Sequence, residues 1–128
     1  MAGQVQYGGL ANLTSAWLAY ASLPKFIQWG TSTGAARSAN VVTTTSTTEA
    51  RTSGTVTQQT VSQTNDTYQV VGQITAAGTR AITEVGVFDA AGSGSPPTGG
   101  NMDIYGSFAV INLSTSDSIT FTIQVTFS

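Results

Sequence analysis

The sequence predicts an all-β chain, an antiparallel β-sandwich or jelly-roll-like fold with one short N-terminal helix and a long Thr/Ser-rich extended segment. Three observations carry that expectation. Ile119, Phe121, Ile123, Val125 and Phe127 alternate without a slip with Thr120, Thr122, Gln124 and Thr126, the period of a strand with one face in a core. Further strand-like runs precede it at spacings of about 8 to 15 residues, separated by Gly- and Asn-containing turns. Helical spacing appears in one short segment alone.

That segment comes first. Leu10, Leu13, Trp17 and Tyr20 fall at i, i+3, i+7 and i+10, which places them on one face of a helix over roughly 12–21. Asn12 or Thr14 is positioned to cap it, and Leu23-Pro24 marks its end. Its aromatics have two readings: they pack on the domain's own sheet, or they dock into a partner as anchor residues. Residues 31–66 contain no aromatic residue, and 17 of the 36 are Thr or Ser. This stretch is either a long loop followed by a polar edge strand at about 54–64, or an arm lying across a neighbouring subunit.

From residue 67 the chain reads as strand after strand. Tyr68, Val70, Gly72 and Ile74 alternate with polar neighbours, Val71 being the exception, and Asn65-Asp66 supplies the turn of a hairpin with the preceding strand. In Ile82–Asp89 the apolar parity slips between Ile82 and Val85, which implies a bulge or a strand covered on both faces. Residues 90–101, with four glycines and two prolines, form a surface tip. A strand over 102–111 and the closing strand complete the set. The 128 residues are one domain in three zones: an aromatic N-terminal segment (1–30), a Thr/Ser-rich arm or loop (31–53) and a β-sandwich core (54–128).

Composition excludes much chemistry. The chain has no Cys and no His, so disulfides, thiolate or imidazole metal sites and imidazole-based triads are ruled out. Glu84 and Asp89 are the acids closest together on a strand, and five-residue spacing puts them on opposite faces of a regular strand. Glu84 is expected to answer Arg80 or Arg51 as a sheet-face charge; Asp66, Asp103 and Asp117 are expected to hold turns through Asx bonding. No phosphate loop or calcium loop is present, so the expectation is a non-enzymatic protein without catalytic residues, cofactor or metal. Lys25, Arg37, Arg51 and Arg80 are too few for a nucleic-acid partner, since a typical duplex binder contacts about 6–10 phosphates. No run of 18 apolar residues and no leader-like N-terminus appears, so no membrane is expected and synthesis is placed in the cytosol.

Only 8% of the residues are charged, the net charge is −2, and 22 Thr and 14 Ser fill the shortfall. A neutral hydroxyl-rich surface offers little repulsion between copies. The region after residue 52 holds one basic residue, Arg80, so sheet edges there lack the lysines that commonly blunt them. Both observations point to life in an assembly. The candidate capsid or intersubunit contacts are Trp17, Tyr20, Phe26 and Trp29, with Arg37 and Arg51 from the Thr-rich stretch.

Four segments carry a resemblance: Lys25-Phe26-Ile27-Gln28-Trp29-Gly30-Thr31, Asn65-Asp66-Thr67-Tyr68-Gln69-Val70-Val71-Gly72, Ala81-Ile82-Thr83-Glu84-Val85-Gly86-Val87-Phe88-Asp89-Ala90, and Asp117-Ser118-Ile119-Thr120-Phe121-Thr122-Ile123. Together they resemble head decoration, or cement, proteins of tailed bacteriophages. The third also resembles a segment in the N-terminal regions of phage tail fibre or collar proteins. The resemblance implies a virion protein on the outer capsid surface that cements neighbouring major capsid proteins. It also implies a homo-oligomer, trimer first and dimer second. A chain closing on a core strand at Ser128 fits decoration better than a fibre. The alternatives are a tail fibre, collar or baseplate component, and a carbohydrate-binding host-recognition module.

Overall fold

The structure is a computed structural model that describes residues 2–32 and 47–128. Arg37 and most of the Thr-rich arm therefore lie outside the described residues. One helix, α1 (Tyr7–Ala19), precedes seven strands: β1 (Phe26–Gly30), β2 (Thr52–Ser53), β3 (Thr55–Gln59), β4 (Thr67–Thr75), β5 (Arg80–Phe88), β6 (Met102–Leu113) and β7 (Ser118–Thr126). They form two antiparallel sheets, one ordered β2-β1-β5-β6 and the other β3-β4-β7. The all-β sandwich expected from the alternation is what the chain adopts. A jelly roll has eight strands in two Greek keys; the seven described here are arranged as four and three.

The core lies between the sheets. Ile27 and Trp29 of β1, Ile82, Val85 and Val87 of β5, Tyr68, Val70 and Ile74 of β4, and Phe121 of β7 are all buried in one cluster. The rings of Phe108 and Phe121 meet across the layers, centroids 6.1 Å apart. The sheets approach closely at Gly72, where a Cβ would come within 2.7 Å of the Ile27 side chain. At Gly54 the chain passes from β2 in one sheet to β3 in the other. Its N–H donates to the Lys25 carbonyl at 2.7 Å, and a Cβ there would sit 2.6 Å from Val70 Cγ1. A corner between layers needs a residue with no side chain at such a point.

β3 and β4 form the expected hairpin, with Gln59 opposite Thr67, but β3 ends at Gln59 instead of about 64, so the connection covers residues 60–66 and not Asn65-Asp66 alone. Its turn is held by Asp66. The two carboxylate oxygens accept from the backbone N–H groups of Val61, Ser62 and Gln63 and from the Thr67 hydroxyl, at 2.7–3.0 Å. Asn65 beside it takes a positive φ of 56°, a conformation asparagine tolerates. The parity slip in β5 has both anticipated causes. Ile82 pairs with Ile111 and Glu84 with Ser107, so Thr83 alone faces Phe108, Ala109 and Val110, a bulge carried by β6. In addition every residue from Glu84 to Phe88 is buried, so the strand is covered on both faces.

Three expectations need correction. The helix begins at Tyr7 and ends at Ala19, rather than spanning 12–21, and Gln6 occupies its N-cap position without a side-chain bond. Thr14 is no cap; it is buried in the helix interior and donates to the Asn65 carbonyl at 2.7 Å. The sandwich does not begin at residue 54, because β1 lies in the middle of the larger sheet, between β2 and β5. Its sequence Phe-Ile-Gln-Trp-Gly shows no alternation, as befits a strand with both faces covered.

Burial raises the Asp66 pKa, but the three backbone N–H bonds and the Thr67 bond lower it by more, from the ordinary 3.8 to about 2. A depressed folded-state value contributes stability above the unfolded value, and that contribution is lost as pH falls toward the folded one. Unfolding stability should therefore decline between about pH 4 and pH 2, and Asp66→Asn should flatten that decline, as read by urea titrations at each pH. Separately, Trp29→Ala should cost about 3–5 kcal/mol of stability, measured by the same titration at neutral pH.

Candidate assembly surface

The outer face of the larger sheet determines what surface is left for partners. On that face Gln28 is 3% exposed and needs hydrogen bonds. Arg51 supplies one: its Nε donates to Gln28 Oε1 at 2.7 Å. Arg51 Nη1 also donates to the carbonyls of Ala90 and Gly99, at 2.9 and 2.8 Å, and the guanidinium lies over the Phe88 ring, 3.6 Å from its centroid. Burial pulls the Arg51 pKa below the ordinary guanidinium value, and the charge of Asp89 opposes that shift. The 90–101 tip is thereby fastened down at its base. Asp89 closes the tip by accepting from Asn101 N–H at 2.7 Å.

Glu49 performs the matching role on the other face of β1. Its Oε2 accepts from Trp29 Nε1 at 3.3 Å, and its Oε1 accepts from Ala77 N–H at 2.9 Å and Arg80 Nε at 3.0 Å. Burial raises its pKa, while those bonds and the Arg80 charge lower it by more, leaving it below the usual carboxylate range. Arg80 thus answers Glu49, not Glu84. Glu84 is fully buried, accepts from the Tyr105 hydroxyl at 2.8 Å and has no cation beside it among the described residues. Asp117 accepts from Ser114 N–H at 2.8 Å, as a turn residue should. Asp103 instead sits within β6, at the residue left unmatched between Met102 and Ile104.

Of the candidate contacts, Trp29 and Arg51 are corrected: both side chains are buried and occupied inside the chain, at 1% and 8% exposure. Arg37 is outside the described residues. Phe26 is half-buried at the start of β1, with the Lys25 ammonium 5.4 Å from its ring centroid. Trp17 is half-buried, packed 4.8 Å from the Tyr68 ring and 5.9 Å from the Phe127 ring between centroids. Tyr20 is 55% exposed. Leu13, Ala16, Trp17, Tyr20 and Phe127 line an apolar groove of about 360 Å³. The reading in which the helix aromatics pack on the domain's own sheet holds for Trp17, which also forms the floor of a groove that Tyr20 borders.

Sequence reasoning missed the roles of Glu49, Gln58 and Thr14. Gln58 Nε2 lies 2.6 Å from Thr14 Oγ1 and 3.2 Å from the Ala11 carbonyl, fastening α1 to β3. A polar residue on the inward side of a helix gives no periodic signal, so these bonds had no marker. Among the described residues no three His, Cys, Asp or Glu side chains are grouped to hold a metal ion, and no helix is long and apolar enough to cross a membrane. No protein-family model, curated protein or solved structure matches the chain.

Replacing Arg51 by Ala should cost about 2–4 kcal/mol, because Gln28 and two carbonyls lose a charged donor. Arg51→Lys should recover little, since an ammonium lacks the planar fork that reaches three acceptors. Hydrogen exchange in residues 90–101 should accelerate in both variants.

Proposed function

We propose that this chain is a structural subunit of a virion, a head decoration protein of a tailed bacteriophage that binds the outer capsid surface as a homo-oligomer and cements neighbouring major capsid proteins. In this reading it performs no catalysis and uses no cofactor. The observation that supports it best is where the few charges go. Asp66, Glu84 and Arg51 are buried, and Arg80 and Glu49 are paired with side chains 14% and 6% exposed. Among the described residues the outward surface is mostly Thr, Ser, Gln and Asn, with Asp103 and Asp117 as its exposed carboxylates and an apolar groove beside α1. Such a surface has little charge to hold copies or partners apart.

A ligand that binds only the expanded shell stabilises it by its binding free energy at every site occupied. Contacts would come from apolar groups and backbone, because long-range charge is scarce. The groove formed by Leu13, Ala16, Trp17, Tyr20 and Phe127 is assigned to the capsid-facing side, with Phe26 as a further contact.

The test is the copy number of the chain relative to the major capsid protein in purified particles, by quantitative mass spectrometry. Decoration predicts near-stoichiometric amounts. A few copies per particle would transfer the chain to the tail or a single vertex, and absence from particles would refute a virion role. Tyr20→Ala should reduce shell binding by about tenfold, the loss of one interface anchor, with the isolated domain's stability unchanged.

A further inference from the structure

A two-sheet sandwich leaves four edges, here β2 and β6 in one sheet and β3 and β7 in the other. An open edge presents a row of backbone donors and acceptors that another chain can pair with, and soluble proteins blunt such edges by shortness, bulges, proline, charge or cover. Three of the four are managed in one of these ways. β2 has two residues. β6 departs from regular pairing twice, at Asp103 and across Phe108–Val110. β3 has five residues and is bonded through Gln58 to α1.

Among the described residues β7 has none of these devices. Its nine residues pair with β4 in unbroken register, from Thr67 opposite Thr126 to Thr75 opposite Ser118. It contains no charge, no proline and no bulge. One face carries Ser118, Thr120, Thr122, Gln124 and Thr126, all exposed; the other carries Ile119, Ile123 and Val125, only partly buried around Phe121. The chemistry this strand uses in pairing is visible on its β4 side. Thr126 and Thr67 hydroxyls are 2.8 Å apart, Ser118 and Thr75 hydroxyls 2.7 Å, and Gln124 Nε2 donates to Gln69 Oε1 at 2.8 Å.

We infer that β7 pairs antiparallel with β7 of a second copy, joining two three-stranded sheets into one continuous sheet of six across a two-fold axis. The occupant is a second copy because the strand is complementary to itself. It has no charge to repel its twin, and a ladder of hydroxyls and amides both donates and accepts. An antiparallel pair of identical strands has a two-fold axis normal to the sheet, which gives a closed, isologous contact. The alternation fixes the register to steps of two residues, since a one-residue slip would turn Ile119, Phe121 and Ile123 outward. Centring the pair on Thr122 sets Ile123 beside the partner's Phe121 and covers the apolar groups that β7 leaves partly exposed. The inference deepens the proposed assembly role and selects the dimer among its homo-oligomers.

The chain has no cysteine, so single substitutions report one site each. Thr120→Cys, Thr122→Cys and Gln124→Cys are oxidised in the purified full chain, with Thr55→Cys on β3 as the control edge. The expected result is rapid disulfide-linked dimer for one β7 position, about tenfold faster than for the control, because only paired strands hold Cβ atoms within bridging distance. Thr122→Lys should convert the dimer to monomer by light scattering while its circular dichroism stays that of the parent. Equal cross-linking at Thr55→Cys, a wild-type monomer at high concentration, or a Thr122→Lys protein that remains dimeric would each overturn the pairing. Strong β7 cross-linking in a chain absent from particles would leave the pairing standing and remove the virion reading. Stoichiometric presence in particles without β7 cross-linking would do the reverse.

Discussion

The fold depends on a strand buried on both faces. β1 brings Ile27 and Trp29 to the space between the sheets and Gln28 to the opposite side, where water is also excluded. A strand of this kind needs cover on two sides and bonds for every polar group it carries. The cover is the 47–51 segment and the 90–101 tip, and the bonds come from Arg51 and Glu49. Two of the chain's ten charged residues therefore serve β1, Arg80 joins them through Glu49, and Asp66 and Glu84 are buried elsewhere in the fold. The neutral exterior follows from that use as much as from composition.

What the sequence made legible depended on whether an element has one wet face. β7 and β4 do, so their period of two is visible, and the hairpin of β4 with the preceding strand could be anticipated. β1 does not, and its Phe-Ile-Gln-Trp-Gly run, interrupted by Gln28, carries no period of two and falls within the aromatic N-terminal segment. The helix was half legible. Leu10 and Trp17 do face the sheet, but Thr14 lies between them on the inward side, and the stripe is rotated so that Leu13 and Tyr20 are exposed. Gly8 and Gly9 in the first turn disfavour helix locally, yet tertiary bonds to Thr14 hold the helix and override that preference. In the candidate surface, Tyr20 kept its place and Trp29 and Arg51 lost theirs for one reason. An aromatic or an arginine looks the same in sequence whether it anchors a partner or closes the core.

The same inward use of charge bears on how such a subunit would assemble. Electrostatic steering raises association rates and suppresses wrong partners, and both effects weaken as salt rises. With Arg51 buried and Arg80 paired, the described residues offer little of either. Its specificity must rest on short-range features: the shape of the Trp17 groove, and the edge where backbone groups are already aligned. Three of the sandwich's edges are short, bulged or tied to the helix, and β7 keeps an unbroken register over nine residues. If all four edges were open, uncharged copies would join in many ways and aggregate. In the proposed dimer, closing three and leaving one self-complementary would convert the same lack of charge into a single, finite mode of association, because a two-fold contact uses up the edge that makes it.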